Sequence, residues 1–326
     1  MKIVITGGAG FLGSHLARSL LNRGTLSGPA GEPQAIGELI LFDHAAAADI
    51  EEPRVKSVAG EIGDSSLLQQ VIGPGTDVVF HLAAVVSGEA EADFDLGMRV
   101  NLDGTRGVLE ACRKLARPPR MVFASSVAVF GVPLPQTVTD ATTPTPRASY
   151  GTQKLMGELL VADYSRRGFV DGRSLRLPTI VVRPGRPNKA ASSFASGIVR
   201  EPLNGQPANC PVPKSTELWL MSPQRAIEAL IRACELPAER WGADRSLNLP
   251  GITVSVEQML AVLGRVAGKA VAERVTFVPD PDIERLVSTW PARFDTPRAR
   301  ALGFHGDADF ESILNAHIDD QGVRIN

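Results

Sequence analysis

The stretch SYGTQKLMGE, Ser149 to Glu158, contains one of only two tyrosines in the 326-residue chain, and Lys154 follows it by one helical turn. If the segment is helical, Tyr150 and Lys154 are i,i+4 neighbours on one face. A free phenol titrates near 10, and an adjacent ammonium favours its anion. Lowering that value by ~2 units takes about 3 kcal/mol of differential stabilisation, within reach of one close, partly desolvated charge aided by a second positive group. Such a pair can take the proton of an alcohol while the carbon loses hydride. FASSVAVFG, Phe123 to Gly131, places Ser125 and Ser126 at the carboxyl end of an apolar run, where a hydroxyl could hold that alcohol. Each signal has an ordinary competitor. The pair could be a surface helix couple, and a serine could cap a turn.

A second constellation supplies a hydride acceptor. TGGAGFLG, Thr6 to Gly13, reads as G-x-G-x-x-G through Gly8, Gly10 and Gly13, and as G-x-x-G-x-x-G through Gly7, Gly10 and Gly13. It follows the run KIVIT and precedes a helical pattern, the context that turns a weak glycine match into a dinucleotide cradle. Glycines permit close approach to a pyrophosphate, and the helix start offers free N–H groups. Asp43, closing LILFDH, could accept hydrogen bonds from an adenosine ribose and repel a 2′-phosphate, which favours NAD over NADP. It comes later than the usual spacing of roughly 20 residues, a delay that the segment TLSGPAGEPQAIG, Thr25 to Gly37, accounts for as a surface loop. Glu61 and Ile62 could flank the adenine. Leu82, Ala83 and Ala84 offer small residues where a cofactor could pass, and His81 before them reads as structural.

These residues need a scaffold that gathers them. Short β-rich runs occur at Lys2–Thr6, Glu38–Asp43, Arg54–Gly60, Asp77–Leu82, Arg120–Ala124 and Ser174–Val182. Most are near-continuously apolar, as strands covered on both faces are. Helical patterns separate them at Leu12–Arg23, Ser65–Ile72, Phe94–Leu115 and Ser149–Arg166. The alternation predicts an α/β fold with a doubly wound parallel sheet and ligands beyond the strands' carboxyl ends. After Val182 the pattern loosens through Arg183–Lys214. Helices are expected at Pro223–Glu235 and Ser255–Ala267, and strands near Ser246–Leu249 and Ala272–Val278. This predicts a dinucleotide-binding domain over 1–183, with 215–250 returning to it, and a substrate lobe over 184–214 and 251–326.

Composition excludes several classes. The net charge is −2, with no basic arm or stripe, so neither nucleic acid nor an anionic membrane is an expected partner. No apolar run suffices for a bilayer span. Cys112, Cys210 and Cys234 are odd in number and widely spaced, without a metal pattern. They read as buried hydrophobes of a reducing, cytoplasmic protein. KIVIT directly after Met1 reads as a strand, so no signal peptide is expected.

TGGAGFLG, Asp43, HLAA, SSVAVFG and YGTQK, in this order, resemble the extended short-chain dehydrogenase/reductase family over essentially the whole chain. The resemblance implies a Rossmann fold, NAD as cofactor, Ser126 as catalytic serine, Tyr150 as acid/base, and Lys154 binding nicotinamide ribose and tuning Tyr150. It extends the cofactor contacts to Phe11, Leu12, Asn101 and Pro178. The expected homodimer would pair the helices near 94–115 and 149–166. Phe130 stands where most members have a tyrosine outside the catalytic trio.

Three longer stretches, Ala83–Thr105, Leu177–Leu203 and Trp290–Phe304, resemble the branch of this family that oxidises D-erythronate in four-carbon sugar-acid catabolism. That implies oxidation of a small 2-hydroxy sugar acid at C2. Its carboxylate needs cations or N–H donors. Arg183, Arg186, Lys189 and Arg293 are candidates, with Asn188, Ser192 and Ser193 as polar partners. Ser87 and Thr179 are expected to face the substrate. Two other readings stay open. A nucleotide-sugar epimerase or dehydratase holding NAD tightly usually carries N-V-Y-G-P after the sixth strand, where this chain departs from it. A non-catalytic NAD(P) sensor typically lacks the tyrosine–lysine pair.

Overall fold

The computed structural model describes residues 1–28, 31–47, 50–185 and 189–323. Seven parallel strands form the main sheet, in the order Ser246–Asn248, Asp171–Leu177, Arg120–Ser126, Thr76–His81, Lys2–Thr6, Glu38–Asp43, Val55–Ala59. After Lys2–Thr6 the chain adds strands on one side of it and then, from Thr76–His81 on, on the other, so a crevice opens beyond Thr6 and His81. The expected doubly wound α/β sheet is therefore present.

Alternation along the central strands explains the layers. Ile3, Ile5, Val78, Phe80 and Val122 point into a cluster completed by Leu16 and Leu20 of the Phe11–Arg23 helix and by Leu230 of the Pro223–Glu235 helix. Val4, Val79, Met121 and Phe123 point to the other face, under Leu68, Val108, Leu109 and Val161. A third cluster forms the lobe core, from Val181 and Val182 through Phe194 and Met259 to Leu314.

Several expected elements differ in form. The run Ser174–Val182 is two strands, Asp171–Leu177 in the main sheet and Thr179–Ile180 in a three-stranded sheet with Glu217–Met221 and Ile252–Ser255. Pro178 lies at the crossing, where it has no N–H to donate to a ladder. Within 215–250, Glu217–Met221 thus joins the second sheet, whereas Ser246–Asn248 edges the main one. Thr25–Gly37 contains a small hairpin, Thr25–Ser27 against Pro33–Ala35, held by the buried Leu26 and Ile36. Val55–Ala59 is a largely exposed edge strand rather than a covered one. The helix expected over 94–115 is Phe94–Gly97, a π-helical turn Met98–Asp103, and Gly104–Arg113.

Candidate active site

The Thr6–Gly13 turn builds one end of a cavity of about 820 Å³ beyond the strand ends. Gly7 has φ 73°, and a Cβ there would stand 2.7 Å from the Ala83 backbone nitrogen. A Cβ on Gly13 would stand 2.1 Å from the Gly7 carbonyl oxygen, so the helix start can approach the turn only with glycine there. Gly7, Gly10 and Gly13 line the cavity with Phe11 and Leu12, which selects the G-x-x-G-x-x-G reading. Gly10 caps the helix without a side-chain bond and no acid occupies the first turn. The first-turn N–H groups precede any intrahelical acceptor and suit a pyrophosphate. A nicotinamide dinucleotide fits this cradle.

Asp43 lines the same end, its carboxylate accepting from the Ala9 N–H at 3.0 Å and the His44 N–H at 2.7 Å. Glu61, Ile62, Leu82, Ala83, Ala84 and Pro178 also border the cavity. Asn101 does not. Its amide is spent on the Val85 backbone in both directions, at 2.9 and 3.1 Å, and on the Gln153 side chain at 2.8 Å. The expected cofactor contact is thus a brace, tying the π-helical turn to the loop after His81 and to the tyrosine-bearing helix.

Ser126, Tyr150 and Lys154 meet in the middle of the cavity. The Ser126 hydroxyl accepts from the Ala128 N–H at 3.2 Å and stands close enough to the Tyr150 phenol to favour its anion. The buried Lys154 ammonium lies over the Phe123 ring at 4.8 Å and near the Tyr150 ring at 5.7 Å. The sequence argument expected a phenol lowered by lysine. Within the protein's own field, burial wins and pushes Tyr150 up to about 12, against the Arg183 charge and the Ser126 hydroxyl. Lys154 is pushed down to about 7 by the same burial, with Glu158 opposing. Among the charges opposing that burial at Tyr150, Arg183 contributes most.

Two buried networks hold these groups. Glu158, the next same-face residue after Lys154, accepts from both Arg176 Nε and Arg176 Nη2, the latter at 2.7 Å, and from the Ser125 hydroxyl at 2.5 Å. Arg176 also reaches Asn248 and lies over Phe130. His81 is fully buried between Thr6 Oγ1 at 2.7 Å and Thr105 Oγ1 at 2.9 Å. Thr105 donates its hydrogen to the Asn101 carbonyl, so it accepts from His81 Nε2–H, and Nδ1 accepts from Thr6. Burial and the Lys154 charge push His81 down to about 3, so it is a neutral strut.

At the other end, Arg183, Thr179 and Ser192 line the cavity. Among the described residues no hydrogen bond or ion pair engages the Arg183 guanidinium. Its backbone is held instead, the N–H by Ser196 and the carbonyl by Arg200. Ser87 borders the cavity, but its hydroxyl accepts from the Ala191 N–H at 3.1 Å and fastens the lobe to the loop after His81. Lys189 is at the rim, exposed and paired with Glu89 at 2.8 Å. Arg293 is outside the cavity, paired with Glu217 at 2.6 Å, which removes it from the expected carboxylate ligands. Asn188 and Arg186 lie outside the described residues. Sequence reasoning missed Trp290, Leu96 and Val100, which also line the cavity. Only Glu158 carried a signal, its helical spacing from Tyr150 and Lys154. Among the described residues no three His, Cys, Asp or Glu side chains gather to hold a metal, and no helix is long and apolar enough to cross a membrane.

A glycine cradle at the switch point, with serine, tyrosine and lysine beyond it, defines a nicotinamide-dependent oxidoreductase of the Rossmann type. Residues 3–219 match the NAD dependent epimerase/dehydratase family, and the chain belongs to that family. Among its relatives is the D-erythronate dehydrogenase of Cupriavidus necator, 56% identical over 323 residues that cover 99% of each chain. The D-erythronate dehydrogenase of Haemophilus influenzae is 46% identical over 320 residues, 98% of this chain and 99% of that one. A solved structure described as a nucleoside-diphosphate-sugar epimerase from Agrobacterium tumefaciens superposes with a TM-score of 0.91 at 42% identity, covering 100% of this chain and 96% of that one.

Proposed function

We propose that this protein oxidises the C2 hydroxyl of a small 2-hydroxy sugar acid, D-erythronate, to the 2-keto acid, with NAD as acceptor. The observation that carries the reading is the Arg183 guanidinium, unpartnered among the described residues, in the cavity that holds Ser126, Tyr150 and Lys154. A bidentate cation beside an acid/base suits a carboxylate next to the reacting carbon. The two relatives named D-erythronate dehydrogenase support the substrate. Asp43 supports NAD, since its carboxylate would repel a 2′-phosphate.

Ser126 Oγ and Tyr150 Oη hold the C2 hydroxyl, and Tyr150 takes its proton. Arg183 fixes which hydroxyl faces the tyrosine and stabilises the phenolate. Lys154 would hold the nicotinamide ribose. When bound, an oxidised nicotinamide supplies the hydride acceptor and one more positive charge near the phenol. Residues 1–183, together with the Pro223–Glu235 helix and the Ser246–Asn248 strand, would hold the cofactor, and the rest would shape the substrate end.

The test is NADH formation by purified protein, comparing D-erythronate, L-threonate, other aldonates and UDP-glucose, with NAD and with NADP. Turnover of D-erythronate with NAD is expected. Tyr150→Phe should lower kcat by about 10²–10⁴-fold while NADH still binds. Silence with every free acid, together with a copurifying cofactor and turnover of UDP-glucose, would replace this reading by the epimerase one.

A further inference from the structure

Trp290 has no part in the chemistry above, yet it lines the same cavity as Tyr150 and Arg183. It packs against the lobe cluster, whose buried members include Val181, Val182 and Ala191, the sequence neighbours of Arg183 and Ser192. It therefore stands at the substrate end rather than at the Gly7 and Asp43 end. The segment that delivers it is pinned on both sides. The Trp290 N–H bonds the Val287 carbonyl at 3.0 Å at the close of a helix. Further on, Thr253 Oγ1 donates to the Ala292 carbonyl, and Val138 exchanges two backbone bonds with Arg293 and Asp295, at 2.9 Å each. Phe294 is inserted between Phe130 and Trp219. A segment held this way resists displacement, and packed apolar walls of this kind are costly to move.

We infer that Trp290 is a specificity-determining residue that closes the substrate end of the cavity and sets the longest sugar acid whose C2 hydroxyl can reach Tyr150. This rests on the reading of the site as a hydroxy-acid dehydrogenase. With its carboxylate on Arg183, an acid extends away from the reacting carbon, and each added hydroxymethylene must pass the indole. Discrimination by a packed wall is worth roughly 10–200-fold per carbon unit.

The experiment compares kcat/KM for glycerate, D-erythronate, D-ribonate and D-gluconate in wild type, Trp290→Phe and Trp290→Ala. The ratio of D-ribonate to D-erythronate should rise at least about tenfold in Trp290→Ala, with Trp290→Phe between it and wild type. An unchanged ratio overturns the assignment. A second readout needs no turnover. The other tryptophans, Trp219 and Trp241, are 7% and 2% exposed and line no part of this cavity. Titrating D-erythronate onto the protein with NADH bound should change tryptophan emission in wild type and not in Trp290→Phe. A response that survives Trp290→Phe, or a wild type that gives none, overturns the placement. A Trp290-dependent response without turnover of any acid keeps the placement and removes the dehydrogenase reading instead.

Discussion

At the scale of residues, Tyr150 is set by a contest between burial and charge. Burial raises the phenol, and Arg183 is the strongest opposing group among its neighbours. One guanidinium would thus do two jobs, gripping the carboxylate and lowering the phenol. Arg183→Gln should raise KM for the acid by about 10²-fold, the worth of a charge-assisted pair. Because removing the positive charge disfavours the phenolate, the alkaline rise of kcat should also move to higher pH. A pH profile that keeps its position would separate the two jobs and deny the second. Arg183 was legible as a cation after a strand. Arg293 was not distinguishable from it by sequence, since only the fold reveals that Glu217 already pairs with one and that no described residue pairs with the other.

At the scale of elements, the Ser149–Arg166 helix is held from behind. Its row Tyr150, Lys154, Glu158 ends on a buried carboxylate that Arg176 grips from the adjacent strand. Replacing Glu158 by Gln leaves Arg176 buried without its counter-charge and should cost about 3–5 kcal/mol in denaturant unfolding. A loss below 1 kcal/mol would mean that the pair is not structural. The strand–helix alternation, the glycine turn and the tyrosine–lysine face were readable because each is a local pattern of period or spacing. The break at Pro178 was hidden inside an apolar run that continues through it. The π-helical turn holding Asn101 likewise leaves no mark in composition, and the partners of its amide, Val85 and Gln153, are distant in sequence.

At the scale of the whole molecule, the centre of the sheet contains an imidazole kept neutral. His81 titrates near 6.5 when unfolded and at about 3 in the fold. Between those values the unfolded chain binds more protons, so stability rises with pH across that window and is lost as pH falls through it. Unfolding free energies measured from pH 7 to pH 4 should fall more steeply for wild type than for His81→Asn. Parallel slopes would refute a buried neutral histidine. The homodimer expected by family resemblance is also a matter for measurement. Phe94 and Leu159, on the two helices named for it, are 59% and 63% exposed. Sedimentation should show a dimer in wild type that Leu159→Glu weakens, and a monomeric wild type would end that expectation.

The crossing at Pro178 has a bearing on how such a protein can change over generations. Arg176 braces the Ser149–Arg166 helix, Thr179 begins the second sheet and Arg183 lines the cavity, all within one short, uninterrupted stretch. The substrate half is therefore no interchangeable cassette. Recombination that imports a foreign lobe at this junction also imports, or severs, the support of Lys154, and inheritance of new substrate tastes is steered toward single replacements along the cavity wall.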